Sequence, residues 1–210
     1  MNATIKQQIL THKIVAIIRG IGEDMIIPTA EALYNGGIHC LEITLNTPHA
    51  LRMIEQVKDC YADRLLIGAG TVLDGASTIN AITAGADFIL SPILSYDIIE
   101  TCHRYSKTVV PGIATPTEAF HAWNAGADIV KIFPAASLGT SYIKNLKGPL
   151  NNIDIMAVGG INLGNISDFH LAGSHCFGIG SDLANTALIK NNDFDAITRL
   201  AKDYVNALLL

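Results

Sequence analysis

The chain has 210 residues, of which 50% are hydrophobic, and a formal net charge of -5 at pH 7. This length and apolar content are enough for one well-buried domain over residues 1–210. The Lys and Arg residues are scattered, with no basic run or basic amphipathic face, so nucleic acid and membrane surfaces are not expected as partners.

The four cysteines do not have metal-ligand spacing, and the seven histidines do not recur at such spacing either. The first eleven residues lack the apolar core of a signal peptide, and no apolar stretch reaches membrane-spanning length. We therefore expect a cytoplasmic protein with reduced thiols and no bound metal.

Short apolar runs alternate with longer amphipathic segments along the whole chain. The predicted strands are Ile14–Arg19, Cys40–Leu45, Leu65–Gly70, Phe88–Pro92, Thr108–Ile113, Ile129–Phe133, Ile153–Val158 and Cys176–Gly180. The predicted helices are Glu23–Asn35, His49–Cys60, Ala76–Ala84, Tyr96–Tyr105, Thr117–Asn124, Leu163–Leu171 and Phe194–Leu208. Strands that alternate regularly with helices predict a parallel sheet in an α/β fold.

A weak internal repeat precedes every second predicted strand. Its copies are Gly36-Gly37-Ile38, Ala84-Gly85-Ala86, Ala125-Gly126-Ala127 and Ala172-Gly173-Ser174. Glycine just after a helix supplies the left-handed residue that ends it. A recurrence every second strand favours a single closed (β/α)8 TIM barrel, although an open sheet could also show it.

The carboxyl ends of barrel strands carry the chemistry of this fold, and each of the first three predicted strands has a candidate residue in it or just after it. Arg19 ends the first strand, where its guanidinium can bind a carboxylate or phosphate bidentately or pair with a local carboxylate. Strict alternation along the second strand turns Glu42 toward the barrel interior. Thr71 follows the third strand and offers a hydroxyl to a substrate or to a turn.

Lys131 stands inside the otherwise apolar, β-branched sixth strand. A buried ammonium costs several kcal/mol unless it is paired, so its pKa falls and the amine becomes a nucleophile that can form a Schiff base with a ketone. Glu42 would face it and could move protons. From these residues alone, Lys131 could instead snorkel at a strand end, or form a salt bridge with Glu42 that only fixes the register.

Two glycine motifs follow the seventh and eighth predicted strands, Gly159-Gly160 and Gly178-Ile179-Gly180-Ser181. Barrels frequently bind a phosphate at this position against backbone N–H groups, and glycine allows the close approach. The other interpretation is that these glycines only form tight turns. A phosphorylated ligand is the prediction we prefer.

Together these motifs resemble the 2-keto-3-deoxy-6-phosphogluconate aldolase family (KDPG/KHG aldolases), Schiff-base aldolases built on a (β/α)8 barrel. The matching segments are Ala16–Gly20, Leu41–Leu45, Ile67–Val72, Pro111-Gly112, Val130–Ala135, Val158–Ile161 and Gly178–Ser181. The resemblance implies that Lys131 forms the Schiff base, Glu42 transfers protons and Thr71 contacts the pyruvate part. It also implies a phosphate held by Gly159, Gly160, Gly180 and Ser181, no cofactor, and a homotrimer.

One position departs from the phosphogluconate pattern. Those enzymes usually carry an arginine four residues after the catalytic glutamate, where this chain has Asn46. Arg19-Gly20 and Asn46-Thr47-Pro48 resemble instead the 2-keto-3-deoxy-6-phosphogalactonate branch, in which an arginine on the first strand contacts the substrate. The expected reaction is reversible cleavage of such a phosphosugar acid to pyruvate and glyceraldehyde 3-phosphate.

Two functions of other classes stay open from the sequence. One is a phosphosugar epimerase-type barrel, which would need metal ligands or paired acids at the strand ends. The other is a non-catalytic phosphosugar-binding barrel, which would tolerate Lys131→Arg.

Overall fold

The computed structural model of the protein describes residues 4–209. Met1, Asn2 and Ala3, which begin the segment where no signal peptide is expected, lie outside the described residues, as does Leu210. Within the described part, no helix is long and apolar enough to cross a membrane.

The strands and helices alternate as expected. The strands are β1 (Ile14–Ile18), β2 (Cys40–Thr44), β3 (Leu66–Gly70), β4 (Phe88–Leu90), β5 (Thr108–Val110), β6 (Gly112–Ile113), β7 (Val130–Ile132), β8 (Ile155–Val158) and β9 (Cys176–Ile179). The helices are α1 (Ile5–His12), α2 (Ile26–Asn35), α3 (Ala50–Tyr61), α4 (Gly75–Thr83), α5 (Tyr96–Arg104), α6 (Pro116–Asn124), α7 (Ala135–Leu138), α8 (Thr140–Lys147), α9 (Ile166–Leu171), α10 (Thr186–Lys190) and α11 (Phe194–Ala207).

The sheet confirms the predicted TIM barrel. Its strand order is β5-β4-β3-β2-β1-β9-β8-β7-β6, and all neighbouring strands are parallel. The two ends of this order, β5 and β6, are consecutive pieces of one stretch of chain. The barrel therefore closes through that stretch and has eight strand positions.

The prediction of one continuous strand over Thr108–Ile113 is wrong, because Pro111 divides it into β5 and β6. Proline has no N–H to donate to a ladder. Its carbonyl still accepts a hydrogen bond from the backbone N of Lys131 at 2.8 Å. β5 pairs with β4 and β6 with β7, so each half serves a different neighbour.

The sequence analysis missed four short helices, α1, α7, α8 and α10. For α1 a signal was present, since Thr4 and Gln7 form a capping box. Thr4 Oγ1 accepts from the backbone N of Gln7 at 3.2 Å, and Gln7 Oε1 accepts from the backbone N of Thr4 at 2.9 Å. That spacing of Thr and Gln is a helix-start pattern readable from sequence.

Two apolar layers hold the barrel together. The larger one lies between the strands and the helices and includes Ala16, Ile18 and Ile43. The smaller one fills the barrel interior and includes Val15, Ile17, Cys40 and Phe88, with Ile9 of α1 packed against it. Alternate residues of β1 thus face opposite layers, as the period of a strand requires, and α1 covers the amino-terminal end of the barrel.

The internal repeat has the predicted role and an additional one. Gly37, Gly85, Gly126 and Gly173 all have positive φ, between 90° and 112°, as expected for glycines that end helices. Three of these glycines are also followed, two positions later, by a side chain that accepts a hydrogen bond from the backbone of an earlier strand. The pairs are Asp87 Oδ2 with Ile67 N at 3.0 Å, Asp128 Oδ2 with Val109 N at 3.1 Å, and His175 Nδ1 with Ile155 N at 3.1 Å.

Candidate active site

Lys131 and Glu42 both point into the barrel. Lys131 lies in the middle of β7 and is 5% exposed, and Glu42 lies in the middle of β2 and is 1% exposed. Each stands two residues after a member of the interior layer, Ile129 and Cys40 respectively. The period of a strand therefore places both side chains on the inner face, as predicted.

Burial shifts the pKa of both groups toward their neutral forms. It raises the pKa of Glu42, while the charges of Lys131 and Arg19 act in the opposite direction. It lowers the pKa of Lys131, where the charge of Glu42 opposes the shift and that of Arg19 adds to it. A less basic amine beside a more basic carboxylate is suited to nucleophilic attack and proton transfer.

The simple salt bridge considered from the sequence is not found. Among the described residues, the carboxylate of Glu42 and Nζ of Lys131 form no ion pair within 4.0 Å. Glu42 Oε2 is buried and has no hydrogen-bond partner in the described part of the chain. An unsatisfied buried carboxylate oxygen costs free energy, so Glu42 is not kept here as the satisfied half of a structural ion pair.

Gly70 provides the space that Glu42 occupies. β3 pairs with β2 at this point, and a Cβ atom at Gly70 would collide with Oε1 of Glu42. A glycine inside a strand weakens it, so it is expected where something approaches the backbone closely. Here the approaching group is the candidate catalytic carboxylate.

Arg19 and Thr71 meet at the carboxyl ends of β1 and β3. Nη2 of Arg19 donates a hydrogen bond to Oγ1 of Thr71 at 3.4 Å. Thr71 has a φ of 57°, which is unusual for a β-branched residue, and such strain is often found at functional sites. Arg19 forms no ion pair within 4.0 Å among the described residues, so its charge is available to a ligand.

A cavity of about 310 Å³ opens at this end of the barrel. The residues that line it are Ile17, Arg19, Phe133, Val158, Gly159, Gly160, Ile161, Gly178, Gly180, Ser181, Asp182, Ala184 and Thr186. The cavity thus brings together Arg19 and all four residues expected to bind phosphate.

The expected phosphate binders present backbone donors. Gly159 and Gly160 have φ values of 93° and 75°, a conformation that favours glycine. Within residues 4–209, the backbone N–H groups of Gly159, Gly160, Gly180 and Ser181 donate no hydrogen bond to the protein. Unused N–H groups of this kind are the usual ligands of a phosphate.

Lys131, Glu42 and Thr71 are not among the cavity-lining residues. Phe133 connects the cavity to the lysine, because its ring lines the cavity and its centre lies 5.2 Å from Nζ of Lys131. Ile17 and Val158 line the cavity and also belong to the interior layer. The amine therefore lies deeper in the barrel than the phosphate-type donors.

Some residues at the site were missed from the sequence. Asp182 and Thr186 line the cavity, and only their position shortly after the Gly-Ser motif could have indicated this. Asn46 is exposed and does not line it. Within the described residues, no group of three or more His, Cys, Asp or Glu side chains is placed to hold a metal ion.

Comparison with known proteins yields a consistent set of matches. A family model described as KDPG and KHG aldolase matches residues 5–200. A 2-dehydro-3-deoxy-6-phosphogalactonate aldolase of Escherichia coli K12 is 40% identical over 171 residues, which are 81% of this chain and 83% of the relative.

Two solved structures are similar over almost the whole chain. One, described as a native KDPGal structure, has a TM-score of 0.87 at 36% identity and covers 92% of this chain and 93% of its own. The other is a KDPG aldolase of Legionella pneumophila with pyruvate captured at low pH as a covalent carbinolamine. It has a TM-score of 0.86 at 32% identity and covers 90% of this chain and 92% of its own.

Proposed function

The chain belongs to the KDPG and KHG aldolase family and is a lyase, and from this we propose the reaction and the residues that perform it. The protein reversibly cleaves a 2-keto-3-deoxy-6-phosphosugar acid to pyruvate and glyceraldehyde 3-phosphate. Residues 1–210 act in this proposal as one aldolase barrel domain. The observation that carries it is Lys131, a buried amine with a lowered pKa facing the same barrel interior as Glu42.

Lys131 is the proposed nucleophile. Its neutral amine attacks the C2 ketone of the substrate, and loss of water from the carbinolamine leaves a protonated imine. This imine accepts the electron pair when the C3–C4 bond breaks. Because burial lowers the pKa of Lys131, more of the amine is neutral at a given pH than for an exposed lysine.

Glu42 is the proposed proton carrier. Its carboxylate takes the proton of the C4 hydroxyl, directly or through water, as the aldehyde forms. It then returns a proton to C3 of the enamine, and hydrolysis releases pyruvate and the free amine. The raised pKa of Glu42 suits both directions of this transfer.

The cavity would hold the rest of the substrate. The free N–H groups of Gly159, Gly160, Gly180 and Ser181 would bind the phosphate. Thr71 would contact the pyruvate part through its hydroxyl. Arg19 lines the same cavity, has no ion-pair partner among the described residues, and would bind a negatively charged part of the substrate.

We favour the galactonate over the gluconate substrate. Arg19 lines the cavity and Asn46 does not, which supports a cation supplied from the end of the first strand instead of the second. A relative at 40% identity is a phosphogalactonate enzyme. Kinetics on both phosphosugar acids, each also without its phosphate, would test the preference.

A homotrimer and a cytoplasmic location belong to the proposal as well. The first rests on the resemblance to the family, and sedimentation velocity would test it. The second is supported by the four cysteines, all free in the structure, which suit a reducing compartment.

The test of the reaction is trapping with borohydride in the presence of pyruvate. We expect the wild type to gain a stable pyruvate adduct in intact mass, and Lys131→Ala to gain none. Lys144→Ala, at an exposed lysine of α8, is the control and should trap like the wild type.

The outcomes separate the three functions. An epimerase or a non-catalytic binding barrel would give no adduct even in the wild type. An adduct that survives in Lys131→Ala would place the nucleophile at another amine.

A further inference from the structure

Two buried hydroxyls join the end of β1 to the end of β2. Thr44 is 0% exposed and Thr47 is 3% exposed, and their Oγ1 atoms lie 3.0 Å apart. A turn holds them together, because the backbone N of Thr47 donates to the carbonyl of Thr44 at 2.9 Å. The proposed reaction assigns no role to either residue.

Each hydroxyl also bonds to the backbone beside Arg19. The backbone N of Gly20 donates to Oγ1 of Thr47 at 3.0 Å, and Oγ1 of Thr44 donates to the carbonyl of Ile18 at 3.4 Å. A hydroxyl has one proton to donate. With the proton of Thr44 directed to Ile18, the proton of Thr47 is directed to Thr44.

The result is a directed chain of three hydrogen bonds that encloses Arg19. It runs from the N–H of Gly20 through Thr47 and Thr44 to the carbonyl of Ile18. The Ile18 carbonyl belongs to the peptide unit before Arg19, and the Gly20 N–H to the unit after it. Holding both units restricts φ and ψ of Arg19 and so the direction in which its side chain leaves the backbone.

Arg19 needs such support. It is exposed, and within residues 4–209 its side chain forms one hydrogen bond, the 3.4 Å contact with Thr71. A long, rotamer-rich side chain loses conformational entropy when a ligand orders it, and this loss weakens binding. Gly20 has a φ of 66°, so the turn after Arg19 also depends on a left-handed residue.

We propose that Thr44 and Thr47 are positioning residues that hold the backbone of Arg19 so that its guanidinium is directed at the anionic substrate. This inference rests on the proposed function, in which Arg19 binds the substrate. The two threonines act through Arg19 and do not touch the reacting atoms.

Thr47→Val is the central variant, because it keeps the shape of the side chain and removes the hydroxyl. We expect the KM for the phosphosugar acid to rise about 3–10-fold with little change in kcat, the size of one or two hydrogen bonds. Thr47→Ser should restore the wild-type KM. Thr29→Val is the matched control, since Thr29 is equally buried but its Oγ1 has no hydrogen-bond partner in the described part of the chain.

A double-mutant cycle with Arg19→Ala decides whether the effect passes through Arg19. In the Arg19→Ala background, Thr47→Val should raise the KM by less than about two-fold, because there is no guanidinium left to position. An equal effect of Thr47→Val with and without Arg19 would overturn the inference. If Thr47→Val does not fold, Thr44→Val takes its place in the same double-mutant cycle.

The cycle is repeated as binding in the Lys131→Ala background, which cannot turn over. The dissociation constant of the phosphosugar acid, measured by calorimetry, should show the same coupling between Thr47 and Arg19. Failure of the Schiff-base chemistry would appear only in trapping and turnover. Failure of the inference would appear as independent effects of Thr47 and Arg19 on binding.

Discussion

At the scale of single residues, the pair Lys131 and Glu42 is held in an environment that favours neither charge. Both are buried in the barrel interior, and burial is the largest cause of each pKa shift. Buried ionisable groups cost stability, and proteins keep them mainly where chemistry requires them. From this environment we expect that changes at Glu42 alter the rate of turnover and the pH dependence of trapping.

Glu42→Gln keeps the shape of the side chain but removes the base. We expect turnover of the phosphosugar acid to fall by about 10²–10⁴-fold, while borohydride trapping of pyruvate continues at least in part. Steady-state kinetics and intact mass measure the two effects. Glu55→Gln, at an exposed position of α3, should behave like the wild type. Wild-type turnover in Glu42→Gln would leave Glu42 with no role in proton transfer.

The rate of trapping should also depend on pH in a defined direction. The amine reacts when neutral, so the rate falls as the pH drops through the lowered pKa of Lys131. The charge of Glu42 raises the pKa of Lys131, so its removal should lower that pKa further. The acid limb of trapping in Glu42→Gln should then lie at lower pH than in the wild type. A move to higher pH would contradict this account of the pair.

At the scale of elements, hydrogen bonds link strands at the end of the barrel opposite the candidate site. Their acceptors are side chains that follow the glycines of the internal repeat. Asp87, Asp128 and His175 each accept a hydrogen bond from the backbone of the preceding strand. Residues at this end of a TIM barrel contribute to stability, and those at the other end to catalysis.

Asp128→Ala tests this division. The variant leaves the backbone N of Val109 without its 3.1 Å partner, so the free energy of unfolding should fall by about 1.5–3 kcal/mol. The kcat/KM of the folded variant should stay at the wild-type value. Asp59→Ala, at an exposed residue of α3, controls for loss of a carboxylate. Denaturant unfolding and steady-state kinetics on the same samples measure both properties. A folded Asp128→Ala variant with reduced kcat/KM would show that this end of the barrel also supports catalysis.

At the scale of the whole molecule, the barrel interior is divided between packing and chemistry. Ile9, Val15, Cys40 and Phe88 fill the amino-terminal end, and Glu42 and Lys131 stand beyond them toward the carboxyl ends of the strands. Helix α1 covers the filled end, where Ile9 is 0% exposed. The proposed chemistry would thus be confined to the end that opens into the cavity.

Ile9→Ala should destabilise the molecule without changing the site. Removal of a fully buried branched side chain creates a cavity and costs about 2–5 kcal/mol. We expect a lower Tm, with kcat/KM unchanged below the unfolding transition. Leu10→Ala, at a partly buried position of the same helix, should cost less. A large loss of kcat/KM in folded Ile9→Ala would mean that α1 and the site are coupled.

The sequence by itself determined the class of fold and predicted most residues of the candidate site. The two-residue period of a strand is local, so it predicts which face Glu42 and Lys131 occupy before any strand is paired. Alternating strands and helices, with glycine at every second helix end, favoured a closed barrel over an open sheet, and the sheet confirms the barrel. The positive φ of Gly159 and Gly160 is likewise a conformation that glycine permits locally.

Only the tertiary structure decided which of these groups meet and where the regular pattern fails. Proline lacks the N–H of a ladder, so the break at Pro111 has a local cause, but the neighbour that each half pairs with is a tertiary matter. The hydroxyl chain from Gly20 to Ile18 and the place of Asp182 in the cavity likewise depend on how distant strands lie beside one another. Such contacts depend on sheet register and on the space left by neighbours, which the local period does not contain. Gly70 shows the reason most directly, because its need to be glycine comes from Glu42 on the neighbouring strand.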